Sequence, residues 1–303
     1  MWRIYALLTT AMLIWGLNLP LLKYLLLHIE PVTMTAFRLL LAGISVFIIL
    51  FAFKLVRLPT KNEWKYIILG ALLNVVLHHY FLNMGLYRTS GTNAGLILGT
   101  GPVLTAVLVS LIIRNYPSKV QWAGFVLGLT GVGSVVLAGG GPASLALGDI
   151  FVFLAILAQV LSFLVISKAA RTIDPRLLTA YMMVIGSFVL IIIAVIQEPG
   201  EIRAFAEVPR LFWLGFAASG IIGTAVGHML YNYSVGIVGP SKAAIFINFN
   251  TIFSLMGSAL FLGEIITGRH IIGLFIIIVG VILGSGAAED MWNQRKKQKK
   301  PSL

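Results

Sequence analysis

Two histidine–asparagine pairs are the groups in this chain best able to do chemistry. His79 is followed by Asn83, and His228 by Asn232. A spacing of four puts each pair on one face of a helix. Tyr231 adds a third polar group on the second helix. Imidazole changes charge near neutral pH, and an amide both donates and accepts hydrogen bonds. Such a set suits binding a polar solute and passing a proton. The bland alternative is cross-helix packing by hydrogen bonds. Hydrolysis is not expected: there is no His-Glu-x-x-His, no Gly-x-Ser-x-Gly and no buried aspartate pair, so the chain reads as a non-enzyme. Cysteine is absent and no metal-ligand or cofactor spacing occurs, so neither a metal nor a cofactor is expected.

Other polar groups fall within apolar runs. Asn74 and His78 share a different face from His79 and Asn83, about 140° around at 100° per residue. The two faces are not expected to line one cavity, and Asn74 and His78 are assigned to packing. Lys23 and Arg38 flank the hairpin around Glu30. Either suits a substrate carboxylate, or else snorkels to headgroups. Trp15 and Asn18 sit in mid-run, as a wall of the path or as plain core. Of Asn248 and Asn250, at most one faces the path. Pro102 removes a backbone donor and makes its helix a candidate hinge or gate. Glu264 reads as a helix-end cap or a pair for Arg269.

The elements that must position these groups are membrane helices. The chain is 59% hydrophobic and 11% charged, with mean hydropathy +0.98. A soluble domain carries roughly a quarter charged residues. Ten apolar runs of about 20 residues follow one another, near 4–27, 33–53, 66–87, 91–113, 119–138, 147–167, 177–196, 211–235, 240–262 and 270–287. The period-two alternation of a barrel is missing, so the fold class is all-α and multi-pass.

The stretch from Trp64 to Val132 recurs without a gap, 149 positions on, as Trp213 to Val281. Trp64 matches Trp213, His79 matches His228, Asn83 matches Asn232, and Gly131 matches Gly280. Pro31-x-x-x-Thr35 is echoed by Pro175-x-x-x-Thr179. This divides the chain into a first repeat at 1–138, a second at 147–287 and a basic tail at 288–303. With five spans each, the second repeat runs upside down. If both termini are cytoplasmic, inner segments hold 16 lysines and arginines against 4 outside, the bias that the positive-inside rule expects of a multi-pass membrane protein. These cations are spread over several loops, which argues for membrane lipid and against nucleic acid as a partner. Inverted repeats are typical of secondary transporters with substrate near the midplane.

Trp15-Gly16-x-Asn18, Phe37-Arg38, Gly101-Pro102 and Leu262-Gly263-Glu264 resemble the EamA family of the drug/metabolite transporter superfamily. The resemblance implies a 5+5 inverted-repeat carrier, usually a bacterial inner-membrane exporter of amino acids or related metabolites, with its path mainly along spans 3, 4, 8 and 9 and their partners. Arg114-Asn115 stands where the family often has Gly-Glu. The candidate path residues are His79, Asn83, His228, Tyr231, Asn232, Arg38, Trp15 and Asn18. The alternatives are a facilitator of uncharged or lipophilic compounds, and a receptor or scaffold. The latter is disfavoured because the 16 residues after Ala287 are too few for an output domain. Helical rise from Trp64 and Trp213 puts His79 and His228 past the midplane in opposite directions, bracketing a central cavity. Any proton dependence of transport is expected to pass through them.

Overall fold

The structure is a computed structural model that describes residues 2–113, 118–136 and 147–284. The basic tail, the Gly139–Pro142 loop and Arg114-Asn115 lie outside the described residues. Every described element is helical: α1 (Trp2–Leu25), α2 (Pro31–Ala52), α3 (Lys61–Gly70), α4 (His78–Arg88), α5 (Gly91–Leu98), α6 (Gly101–Ile113), α7 (Lys119–Val136), α8 (Leu147–Ala169), α9 (Pro175–Gln197), α10 (Arg210–Ala217), α11 (Gly227–Val238), α12 (Pro240–Ala244), α13 (Ile247–Leu262) and α14 (Gly268–Gly284). Eight continuous helical segments are long and apolar enough to cross a membrane among the described residues. The apolar helices α7 and α14 come in addition. This is a multi-pass membrane protein.

The repeat is visible in the backbone. α3 and α4 are joined through a π-helical segment, Ala71–Leu77, and α10 and α11 through another, Ala218–Val226. Shifted by 149, the first falls inside the second. Each ends just before the residues that carry the histidines, and such wide turns are frequent at functional sites. α2 and α9 start alike, with Pro31 and Pro175 where the missing N–H costs nothing. Asp174 accepts from Arg176 N at 2.8 Å, whereas the start of α2 is capped from afar: Glu198 accepts from Val32 N at 2.9 Å and Thr33 N at 2.7 Å.

The two repeats interlock through small residues. α2 lies along α9, where a side chain at Gly43 would meet Val184. α7 lies along α14, where Gly280 faces the backbone of Gly124 and Gly128. Lipid gives helices no hydrophobic reason to associate, so close backbone approach of this kind holds them together.

The α5–α6 helix is interrupted at Gly99-Thr100, three residues ahead of the Pro102 ring. Thr100 N turns to Ile97 O at 3.0 Å instead of continuing the α pattern. The corresponding helix of the second repeat breaks between Ala244 and Ile247 without a proline inside the break.

Candidate functional site

A cavity of about 40 Å³ lies between the two repeats. α1 supplies Trp15 and Asn18, α4 supplies His78 and His79, and α8 supplies Gln159. Like Gln159, Thr224, His228 and Asn250 come from the second repeat. Leu19, Leu22, Leu82, Leu98, Ile156 and Ile247 close it with apolar surface. One water needs roughly 10–15 Å³ of such space, so the cavity takes about three water-sized groups.

His79 and His228 meet here with ring centroids 5.1 Å apart. They do not bracket the cavity from opposite ends. Three physical effects bring them together. Each Cα–Cβ bond tilts toward its helix N-terminus, so in inverted copies the two rings lean toward each other. The π-helical segments before them depart from the regular α rise. The helical segments, of 28 and 29 residues, also exceed the roughly 20 a bilayer needs, so Trp64 and Trp213 do not mark its edges.

His78 also lines the cavity, against the expectation that only one polar face of its helix would. Its ring lies 4.7 Å from that of His79. His78 Nδ1 bonds to Ala155 O at 2.9 Å, and its Nε2 lies 3.1 Å from Gln159 Nε2. Asn74 donates to Ser162 Oγ at 2.7 Å, so both groups fasten this helix to α8. In the second repeat Asn74 and His78 become Gly223 and Gly227. A side chain at Gly223 would collide with the Asn18 amide, and one at Gly227 with the Trp15 indole. The first repeat therefore puts polar side chains where the second leaves room for those of α1.

The asparagines do not share the histidines' position. Asn83 donates to His79 O at 2.9 Å within its own helix, and Asn232 donates to Thr179 Oγ1 at 2.9 Å. Tyr231 is fully buried behind the wall, its ring 5.0 Å from Trp15 and 4.8 Å from Phe163. Asn250 lines the cavity, whereas Asn248 donates to Ile245 O.

Neither cation snorkels. Lys23 donates to the carbonyls of Leu86 and Thr89 and so caps the end of α4. Arg38 is fully buried and donates through Nη1 to Thr224 Oγ1, one residue behind the cavity wall. Its Nε and Nη2 have no hydrogen-bond partner, and no carboxylate pairs with it, among the described residues.

Glu264 does not pair with Arg269. Its carboxylate accepts from Gly91 N at 2.9 Å and Thr92 N at 2.8 Å, capping α5 from the far end of α13. Below this latch the two helices touch through small groups: Gly91 faces Ser258, Gly95 faces Ser254 and Gly99 faces Thr251. α1 completes the seal where Gly16 meets Phe253. At the other end of the molecule a second cavity of about 680 Å³ opens between α3, α6, α8 and the α11–α12 corner. Leu69, Val109, Ile112 and Leu164 wall it, and Lys168, Arg171 and Lys242 rim it.

Sequence reasoning missed Gln159 and Thr224. Gln159 was within reach, because an amide in the middle of an apolar run is functional by default. Thr224 had no signal, since threonine is common in membrane helices.

A small polar cavity between two related membrane halves, with helices packed tightly at one end of the molecule and a second, separate cavity at the other, is the arrangement of a membrane carrier. The profile of the EamA-like transporter family matches residues 2–137 and 146–286. The chain belongs to that family, and the family and its named relatives are transporters rather than enzymes. It is similar to the uncharacterized transporter YyaM of Bacillus subtilis (strain 168), 26% identical over 94% of each chain. YcxC of the same organism, also an uncharacterized transporter, is 28% identical over 95% of this chain and 92% of its own. A solved crystal structure superposes with TM-score 0.71 over 95% of this chain and 98% of its own, at 16% identity, which supports the fold.

Proposed function

We propose that this protein is a secondary carrier that exports amino acids or related small metabolites by alternating access. In this reading ten spans form a 5+5 inverted repeat and both termini face the cytoplasm. The observation that carries it is the difference between the two ends of the molecule. Glu264 and the α5–α13–α1 contacts seal the end assigned to the outside, while the cavity rimmed by Lys168, Arg171 and Lys242 opens toward the cytoplasm. An inverted repeat reverses this inequality when the two halves exchange conformations.

The central cavity is too small for an amino acid in this conformation, so loading requires α6 and α8 to part further. Arg38 supports an anionic group on the substrate. It is a buried cation with free donors, and such a charge is costly unless something pairs with it. Reaching it means displacing Thr224. The decisive experiment is uptake of amino acids and nucleosides by proteoliposomes with and without a pH gradient. Saturable amino-acid flux upholds the reading, and flux of none of them removes it.

One observation favours a facilitator of uncharged or lipophilic compounds instead. The walls of the open cavity are mostly apolar, with polar groups confined to its rim. Flux of such compounds that ignores every gradient would select that reading.

A further inference from the structure

His78, His79 and His228 each present a ring nitrogen, and the three nitrogens lie within 4.8 Å of one another. All three residues are buried. No two of these residues show a metal-ligand spacing in the sequence, because the third comes from the other repeat. We infer that these imidazoles form a binding site for a borderline d-block cation of the zinc(II) or cobalt(II) kind, inside the central cavity.

Hydrogen bonding presets the donors. His78 Nδ1 faces Ala155 O at 2.9 Å and His228 Nδ1 faces Thr224 O at 3.1 Å. A carbonyl only accepts, so each Nδ1 carries the proton and each Nε2 keeps its lone pair. Metal-binding histidines are oriented in this way, by a carbonyl on the far nitrogen. His228 Nε2 has no hydrogen-bond partner among the described residues, and neither nitrogen of His79 has one. Burying such atoms unpaired costs free energy that a ligand recovers. Three neutral imidazoles suit zinc, copper, cobalt or nickel and do not suit magnesium or calcium, which take oxygen.

The site must tighten to bind. Tetrahedral zinc holds nitrogens at about 2.0–2.1 Å, which puts them about 3.4 Å from each other. The imidazoles therefore draw in by about 1 Å, and Gln159 releases His78 Nε2. The cavity of about 40 Å³ holds one ion and one small ligand. Asn18 Oδ1 and Asn250 Oδ1 face the same space without hydrogen-bond partners among the described residues and are available around the fourth position.

Arg38 opposes the ion, since its guanidinium lies just behind Thr224 and no carboxylate lines the cavity. That charge weakens the site and favours a cation whose fourth ligand is an anion. That the ion is cargo rests on the carrier reading; that it binds does not.

The test is cobalt(II) titration of tag-free purified protein, read by visible d–d absorption. The variant His28→Gln/His270→Gln removes the only other histidines and leaves the cavity intact. It should bind one cobalt per chain with the intense bands of a tetrahedral nitrogen site, and zinc should displace it. Adding His79→Gln and His228→Gln should weaken binding at least about tenfold. No tetrahedral band in the two-site variant overturns the inference, whether or not the cavity variants fold. So does undiminished binding in the four-site variant. Cobalt binding without amino-acid flux would remove the carrier reading alone, and flux without cobalt binding would remove this site alone.

Discussion

His79 and His228 occupy equivalent places in the two repeats, and their rings lie 5.1 Å apart. Both rings line the same cavity, so the matched helices of the two copies face each other there. Both nitrogens of His79 are buried without partners among the described residues. Replacing the ring by phenyl removes two unpaired polar atoms and keeps most of the volume. His79→Phe should stabilise the protein by about 1–3 kcal/mol and lower flux of polar solutes at least tenfold. A fall in melting temperature with flux intact would show that the imidazole serves packing.

Arg38 invites the same separation of stability from function. A buried guanidinium without a carboxylate costs more than an apolar side chain of similar size, by about 1–4 kcal/mol in comparable cases. Arg38→Met should therefore raise the melting temperature while strongly raising the half-saturation concentration for a carboxylate substrate. If the residue only braces Thr224, melting falls and half-saturation stays.

These two residues also show what the sequence can carry. The apolar runs, the 149-residue repeat and the mid-membrane Trp15 and Asn18 were legible because composition and period determine them. The neighbours of Arg38 were not, since depth along a helix does not fix which helix lies beside it. The histidine separation failed for a related reason. A rise of about 1.5 Å per residue holds along regular α-helices, and the π-helical segments at Ala71–Leu77 and Ala218–Val226 leave no mark in composition. The repeat also pointed to Asn83 and Asn232 as path residues, yet they satisfy a backbone carbonyl and Thr179. Matching positions in the two repeats conserve a helix face but not what that face meets.

Glu30 gives a pH signature outside the membrane core. Burial, with Glu198 and Glu201 nearby, pushes its carboxyl above the ordinary 4.5, while Arg88 pulls the other way. The folded state then holds this proton more tightly than the unfolded one, so stability falls as pH rises through the window above 4.5. Glu30→Gln should raise the melting temperature slightly at pH 7 and leave it unchanged at pH 4. An equal effect at both pH values would trace it to something other than charge.

The proposed orientation rests on the charge asymmetry. Reporter fusions after Lys61 and Lys300 should give cytoplasmic signals, and one after Gly141 an external signal. A cytoplasmic signal after Gly141 would leave the two repeats parallel and remove the inverted arrangement.

Glu264 is the carboxylate that joins α13 to the start of α5, at the same end where Glu198 caps α2 across the repeats. It binds Gly91 N and Thr92 N, where the α5 helix dipole favours a negative charge. Sliding by 149 positions puts Asn115 opposite Glu264, and Pro240-Ser241 opposite Gly91-Thr92. The matching positions of the other copy thus offer neither a carboxylate for a latch nor the first of the two amides that would receive it. In the proposed orientation, the inequality favours the conformation seen, latched at the outer end. A charged hydrogen bond is worth roughly 1.5–3 kcal/mol, and glutamine forfeits part of it while keeping one acceptor. Glu264→Gln should therefore populate the outward-open form several-fold more. Ser258, buried against Gly91, reports it as cysteine, since the chain has no other. Labelling of Ser258→Cys by an impermeant maleimide from outside should quicken about five- to tenfold when Glu264→Gln is added, each tenfold being about 1.4 kcal/mol. An unchanged rate would mean that the small-residue contacts alone hold this end shut and that Glu264 is only a cap.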